Sequence, residues 1–433
     1  MLKRHTFIAI ILLSTGSLLG AGLAFLTQTI LARHLGAESF GVFSATLAMV
    51  ILISPLAGFG VSQLWLKLYG EEGSMANRWL DSSFNLVITT TFLAISILWF
   101  WAFLGMHDTT TRLLILVLSF YILGQVSMGL VSSKLQLEER YTDFAAWQLL
   151  PHLTRFLLIC LFAFIFTSWM TPENIAFIYA SVSIVVTCLA IIQLWYMARG
   201  HFILKGHDEK QFTKLNIPTT ISVLKNSWPF GLATFFYLIY YQSDIVLLKY
   251  MIGDKEAGIY NVAFTIIAAV YLFPGVVYQK YLLPKLHRWA HHDRDKFYTI
   301  YRKGNIAMLI LGLIAMLIIW GLSNWGIPFL FGTEYQDAVI LVNILAISAP
   351  IIFVAFSTGA TLVTQQHMKR KVTYMGSVAL INIVLNIILI PKYGAIGAAS
   401  ATVISNFTLL LLYYYASEKI VFSQEKISLK GNV

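Results

Sequence analysis

Gln148, His152 and Arg155 stand at i, i+4 and i+7 in a largely apolar run, a spacing that puts all three on one face of a helix. An amide, an imidazole and a guanidinium so placed make a cationic, hydrogen-bonding stripe. The planar guanidinium fork suits phosphate in particular. A second polar position falls in YYQSDIVLLKYMIGDKEAGIYN (240–261), where Asp244 sits inside an apolar segment from Trp228 to Ile252. Tyr240 and Tyr241 precede it by four and three residues, so their phenols share its face and can hydrogen-bond it. A carboxylate there can take up and release a proton or a cation. The competing reading is a structural hydrogen bond or an ion pair with a neighbouring helix, because Lys249, five residues on, points elsewhere.

These residues need a scaffold, and composition names it. The chain has 433 residues, 58% hydrophobic and only 12% charged, too little charge to cover a soluble surface of this size. Apolar runs of about twenty residues recur along the whole length, each able to cross roughly 30 Å of hydrocarbon. They lie near 7–31, 40–66, 83–105, 112–132, 146–168, 174–197, 227–252, 257–281, 303–326, 338–363, 371–390 and 395–415. Backbone groups in lipid must be satisfied within the segment, and runs this continuous exclude the alternation of a barrel. The expected fold is an all-α polytopic membrane protein with about twelve transmembrane helices. The first run is too long for a signal-peptide core and lacks a small-residue cleavage site, so it reads as a retained helix.

Charge orients the chain. Most of the 30 Lys and Arg fall in alternate loops, among them Lys67, Arg78, Lys134, Arg140, Lys285, Arg302 and Lys369, which predicts that these loops and both termini are cytoplasmic. Arg33, Arg112, Lys255 and Lys392 remain outside, and Arg155 and Lys249 fall within spans. The net charge of +10 therefore faces anionic headgroups and does not indicate nucleic acid. Cys160 and Cys188 lie within spans with no loop partner, so no disulfide framework is expected.

The longest inner connection, 201–225, divides the spans evenly into 1–200 and 226–433. LARHLGAESFGVFS (31–44) aligns with LKYMIGDKEAGIYN (248–261): Leu31 meets Leu248, Gly36 meets Gly253, Gly41 meets Gly258 and Phe43 meets Tyr260. At the same offset Gly58 meets Gly275, and Asp244 meets Thr27. Both copies fall between the first and second span of their half, separated by an even number of crossings. That predicts two six-helix bundles related by a pseudo-two-fold along the membrane normal, with a path between them.

LKNSWPFGLATF (224–235) with DIVLLKYMIGDKEAGIYNVAF (244–264), and FGTEYQDAVILVNILA (331–346) with NIVLNIILIPKYGAIGAASATVIS (382–405), resemble polysaccharide flippases of the O-antigen (Wzx) type. These belong to the multidrug/oligosaccharidyl-lipid/polysaccharide exporter superfamily. The resemblance spans most of the chain. It implies a two-bundle exporter in a bacterial inner membrane that moves undecaprenyl-pyrophosphate-linked oligosaccharide between leaflets by alternating access. A proton or sodium gradient would drive it, and polymerase and glycosyltransferases would be its neighbours. The rival is a drug or metabolite exporter of the multidrug and toxin extrusion branch, and an anionic path would favour it.

Each polar residue carries two readings. Arg155, with Gln148 and His152, either lines a water-filled cavity and binds the pyrophosphate or snorkels to headgroups from the first turns of a helix starting at Pro151. Lys249 and Arg33 read as interface anchors near helix ends or as path lining. Asn382 and Asn386 read as interhelical packing or as path lining, and Gly16 and Gly20 as a close-packing site. His287, His291 and His292 cluster without Cys or carboxylate at ligand spacing and read as a solvated basic face. No phosphate-binding loop, nucleophile elbow or dinucleotide fingerprint is present. The expectation is a transporter without cofactor or metal, not an enzyme.

Overall fold

The computed structural model describes residues 2–204, 216–282, 285–286, 289–290, 293–363 and 368–423. His287, His291 and His292, and most of the 201–225 connection, lie outside the described residues. Helices account for nearly everything described, and no strand occurs among the described residues. In chain order they are α1 (Leu2–Ile53), α2 (Val61–Glu72), α3 (Leu80–Leu104), α4 (Thr109–Leu118), α5 (Tyr121–Leu137), α6 (Tyr141–Phe164) and α7 (Pro172–Ala198). There follow α8 (Thr220–Met251), α9 (Asp254–Gly275), α10 (Arg294–Phe331), α11 (Ala338–Ala346), α12 (Ser348–Thr361) and α13 (Met368–Ala416).

Nine stretches among the described residues are long and apolar enough to cross a membrane. The first, Leu18–Leu104, takes in three of the expected crossings, and the last, Lys369–Val421, takes in two. Large apolar side chains such as Phe92, Phe100 and Phe103 on α3 and Leu317, Trp325 and Phe329 on α10 are exposed. Such surfaces would aggregate in water and are matched to lipid. The chain is an all-α membrane-spanning protein.

Where the sequence led us to expect loops, single glycines turn the chain. Helix α1 runs through the expected first loop with one non-helical residue, Gly36 (φ 74°, ψ 167°). Its repeat partner Gly253 (φ 145°, ψ 173°) separates α8 from α9 in the same way. Backbone of that hand carries little steric cost only without a Cβ, so both copies of the repeat turn at the same residue type. Gly394 (φ 56°) similarly bends α13 within the expected boundary of its last two crossings. The run expected near 112–132 differs in another way, broken between α4 and α5 at Ser119–Phe120.

The chain forms two compact units. One comprises residues 1–35 and 42–243, the other residues 36–41 and 244–433. Hydrocarbon supplies no hydrophobic drive between helices, so close approach through small residues carries much of the packing. In the first unit Gly16 lies against Ala145 and Gly20 against the His152 ring, which seats α1 on α6. A Cβ on Gly124 would fall 2.8 Å from Ser183 Cβ, so that glycine lets α5 close on α7. Val61, Leu64, Trp65 and Leu68 of α2 build a core with Trp79, Leu80, Leu86 and Leu130.

The second unit has a reciprocal contact at the repeat. A Cβ on Gly41 would run into the Asp254 carbonyl oxygen, and a Cβ on Gly258 into that of Ala37. At the repeat offset, Gly41 corresponds to Gly258 and Ala37 to Asp254, so the contact exchanges equivalent residues. Glu334 Oε1 accepts the Ala37 N–H at 3.1 Å, supplying an acceptor where α1 restarts after Gly36.

Candidate functional site

Helix α6 begins at Tyr141, not at Pro151, so Arg155 stands fourteen residues in, about 21 Å along the axis. The start is fixed by charge. Arg140 Nε donates to Asp143 Oδ2 at 2.6 Å, and Glu138 receives Lys134 at 3.3 Å and Arg140 at 3.4 Å. The hydrogen bond to Asp143 holds the Arg140 guanidinium above its ordinary value. Pro151 lies inside α6 and removes one backbone N–H from its ladder.

Arg155 is buried, at 6% exposure. Its guanidinium lies 4.8 Å from the ring centre of Tyr121 on α5 and 4.7 Å from that of Tyr179 on α7. Nη2 donates to Ser183 Oγ at 3.4 Å, and that hydroxyl donates to the Tyr179 carbonyl at 2.7 Å. Nε is buried with no hydrogen-bond partner among the described residues. Two aromatic faces therefore hold the cation by its π clouds and leave donor capacity uncommitted.

That capacity lines a cavity of about 340 Å³. The same cavity brings together Gln148, His152 and Arg155, the stripe singled out in the sequence, with Ser132, Ser133 and Ser183. Gln148 Nε2 donates to Ser132 Oγ at 2.8 Å. No carboxylate is among the described lining residues. An anion here would meet a desolvated guanidinium with no competing negative group, where charge-assisted bonds are strong.

Asp244 has a different setting, 2% exposed in the second unit. Tyr260 of α9 donates to Oδ2 at 2.5 Å, and Thr402 of α13 also donates to Oδ2. Asn386 of α13 donates to Oδ1 at 2.6 Å, and its amide lies against Asn382 as well. Three helices thus converge on one carboxylate through neutral donors, and no ion pair to Asp244 is present among the described residues. The phenol on Asp244 is that of Tyr260, not of the expected Tyr240 or Tyr241. Tyr241 instead packs on Tyr237 and Tyr240, at 4.5 and 5.3 Å between ring centres. The reason is geometric, since a side chain on another helix can face the carboxylate directly whereas one on the same helix runs alongside it.

Lys249 pairs with Asp254 across the Gly253 turn, its side chain 6% exposed, and Arg33 is exposed. Asn386 reaches the acid from another helix, the interhelical hydrogen bonding that sequence had offered for Asn382 and Asn386 beside path lining. Sequence reasoning missed Tyr121, Tyr179 and Ser183 around Arg155, which come from segments that no local period connects. It also missed Tyr260 and Thr402. One signal for Tyr260 existed, because the first copy of the repeat has Thr27 and Phe43 where the second has Asp244 and Tyr260.

The chain is similar to known proteins at the levels of family, sequence and fold. A family model described as polysaccharide biosynthesis protein matches residues 9–288. The capsular polysaccharide biosynthesis protein CapF of Staphylococcus aureus is 24% identical over 93% of this chain and 97% of its own length. The probable low-salt glycan biosynthesis flippase Agl15 of Haloferax volcanii is 26% identical over 94% of this chain and 84% of its own. Among solved structures, the lipid II flippase MurJ in an inward closed conformation superposes with a TM-score of 0.73 at 17% identity. The match covers 94% of this chain and 87% of MurJ, and at that identity the likeness is one of fold.

Proposed function

The chain belongs to the polysaccharide biosynthesis protein family, and on that premise we propose that it is a flippase for a lipid-linked glycan. It carries an undecaprenyl-pyrophosphate-linked oligosaccharide from the inner to the outer leaflet of a bacterial cytoplasmic membrane, with both termini inside. Residues 1–200 and 226–433 act as two bundles joined by 201–225, and access alternates between the two sides. Relatives named for capsular polysaccharide and glycan biosynthesis support this reading.

The observation that carries it is Arg155, a buried guanidinium with an uncommitted Nε in a cavity without a carboxylate among its described lining residues. A cationic drug would be repelled there, whereas a pyrophosphate would be held, with His152 and Gln148 beside it. Asp244 serves as the coupling group. Exchange of a proton or a sodium ion at its carboxylate alters the bonds that tie α8, α9 and α13 together, and so biases one access state over the other. No step requires chemistry on the substrate, and the chain works as a transporter alongside glycosyltransferases and a polymerase.

The test is transport itself. The full chain is reconstituted into vesicles holding a fluorescent polyprenyl-diphosphate glycan, and a pH or sodium gradient is imposed. Movement of the label between leaflets faster than in protein-free vesicles is expected. Unchanged movement under every gradient, beside a working control transporter, would overturn the reading.

A further inference from the structure

The cavity around Arg155 contains more than an anion requires. Helix α5 contributes Gln125, Gly129, Ser132 and Gln136 at i, i+4, i+7 and i+11, a single stripe about 16 Å long facing the cavity. The side-chain amides of Gln125 and Gln136 have no partner among the described residues, and Gln63 on α2 spends only its oxygen, accepting from Ser62 at 2.8 Å. A second cavity, of about 270 Å³, shares Ser62, Gln63, Gln125 and Gly129 with the first. The polar wall therefore continues beyond the reach of Arg155.

Phosphate oxygens only accept hydrogen bonds, so an amide carbonyl facing them is repulsive. Sugar hydroxyls both donate and accept, and a primary amide offers two donors and an acceptor to match. We propose that the α5 stripe, with Gln63, forms a sugar subsite that reads the hydroxyl groups of the glycan next to the diphosphate held by Arg155. This rests on the flippase reading above and assigns its specificity to Gln125 and Gln136. Gly129 keeps the floor between them open, since a Cβ there would meet only Ser62.

The experiment compares two kinds of probe on the full chain in detergent, by the change in tryptophan fluorescence on titration. One is a short-chain prenyl diphosphate without sugar. The other is the same prenyl diphosphate bearing glucose, galactose, N-acetylglucosamine or N-acetylgalactosamine. Wild type should bind at least one sugar-bearing probe about tenfold more tightly than the sugar-free one, as two neutral hydrogen bonds of ordinary strength would give. In Gln125→Leu/Gln136→Leu that ratio should fall to near one. Gln136→Ala should lower it part way and Gln136→Asn should restore some of it. Arg155→Ala should weaken both probes alike and keep the ratio. A ratio unchanged in the double variant, or no sugar preference in wild type for any probe, overturns the sugar subsite alone. Failure of wild type to bind even the sugar-free diphosphate overturns the flippase reading together with it.

Discussion

Thr27 and Phe43 in the first half of the repeat correspond to Asp244 and Tyr260 in the second, and the two pairs behave differently. Thr27 satisfies its hydroxyl within its own helix, at 2.7 Å from the Leu23 carbonyl, and Phe43 packs edge-on against Tyr179 at 5.2 Å. In the second half the hydroxyl has become a carboxylate and the plain ring a phenol, and Tyr260 bonds to Asp244 at 2.5 Å. The first unit buries Arg155 elsewhere and holds it mainly by aromatic faces, with its Nε N–H left without a partner among the described residues. The acid is matched by three protein donors, whereas the cation is left part-matched beside a cavity. A group whose bonds are all made within the protein suits a switch for something as small as a proton or a bare cation. A group with spare donors suits a ligand from outside.

The strongest way to break this contrast is to remove the cation. Arg155→Ala should lower flipping by roughly 100-fold, the loss of charge-assisted bonds that form only with substrate, while protein abundance stays near wild type. Arg155→Lys should recover part of it, because an ammonium keeps the charge but not the fork. A normal rate in Arg155→Ala vesicles would reduce the residue to packing between Tyr121 and Tyr179.

Removing the acid's ability to titrate should cost less. Asp244→Asn keeps the shape and most of the hydrogen bonding, so the variant should insert and fold. Flipping should lose its response to an imposed pH or sodium gradient, with the driven rate falling about tenfold toward the undriven one. The same gradient response in variant and wild type would leave Asp244 as the knot between three helices.

A third pair of substitutions probes the scaffold that the halves share. Gly41→Ala and Gly258→Ala each drive a methyl into the opposing backbone carbonyl, and overpacking of this kind costs about 1–3 kcal/mol. Because the contact is reciprocal, the two should lower the melting temperature in detergent by similar amounts. A large loss in one and none in the other would argue against equivalence.

The smallest effects discriminate most finely. Tyr260→Phe deletes a hydroxyl that Asp244 uses and should cost about 1 kcal/mol in stability. Tyr121→Phe keeps the ring face that Arg155 uses and should cost a few tenths at most. Equal losses would mean that the phenol hydroxyl matters as much beside the cation as beside the acid.

What was legible in the sequence follows the same division between local and tertiary order. Span length is written in consecutive residues, and so is the stripe of Gln148, His152 and Arg155, because one helix carries all three. The turn at Gly36 and its copy at Gly253 could be aligned by eye, although the sequence did not reveal that a single glycine replaces a whole loop. The partners of Asp244 were not legible, since Tyr260, Asn386 and Thr402 reach it from other helices and only packing selects them over the nearer Tyr240 and Tyr241. Gln63, Gln125 and Gln136 were passed over for the same reason. An amide in an apolar run looks incidental until the helices place it along a cavity.

One titration tests the contrast most directly. A prenyl diphosphate is titrated into wild type, Arg155→Ala and Asp244→Asn under identical conditions, with binding read by tryptophan fluorescence. Arg155→Ala should lose the affinity, by about 100-fold, and Asp244→Asn should bind within about threefold of wild type. The opposite pattern, with binding kept in Arg155→Ala and lost in Asp244→Asn, would contradict the contrast.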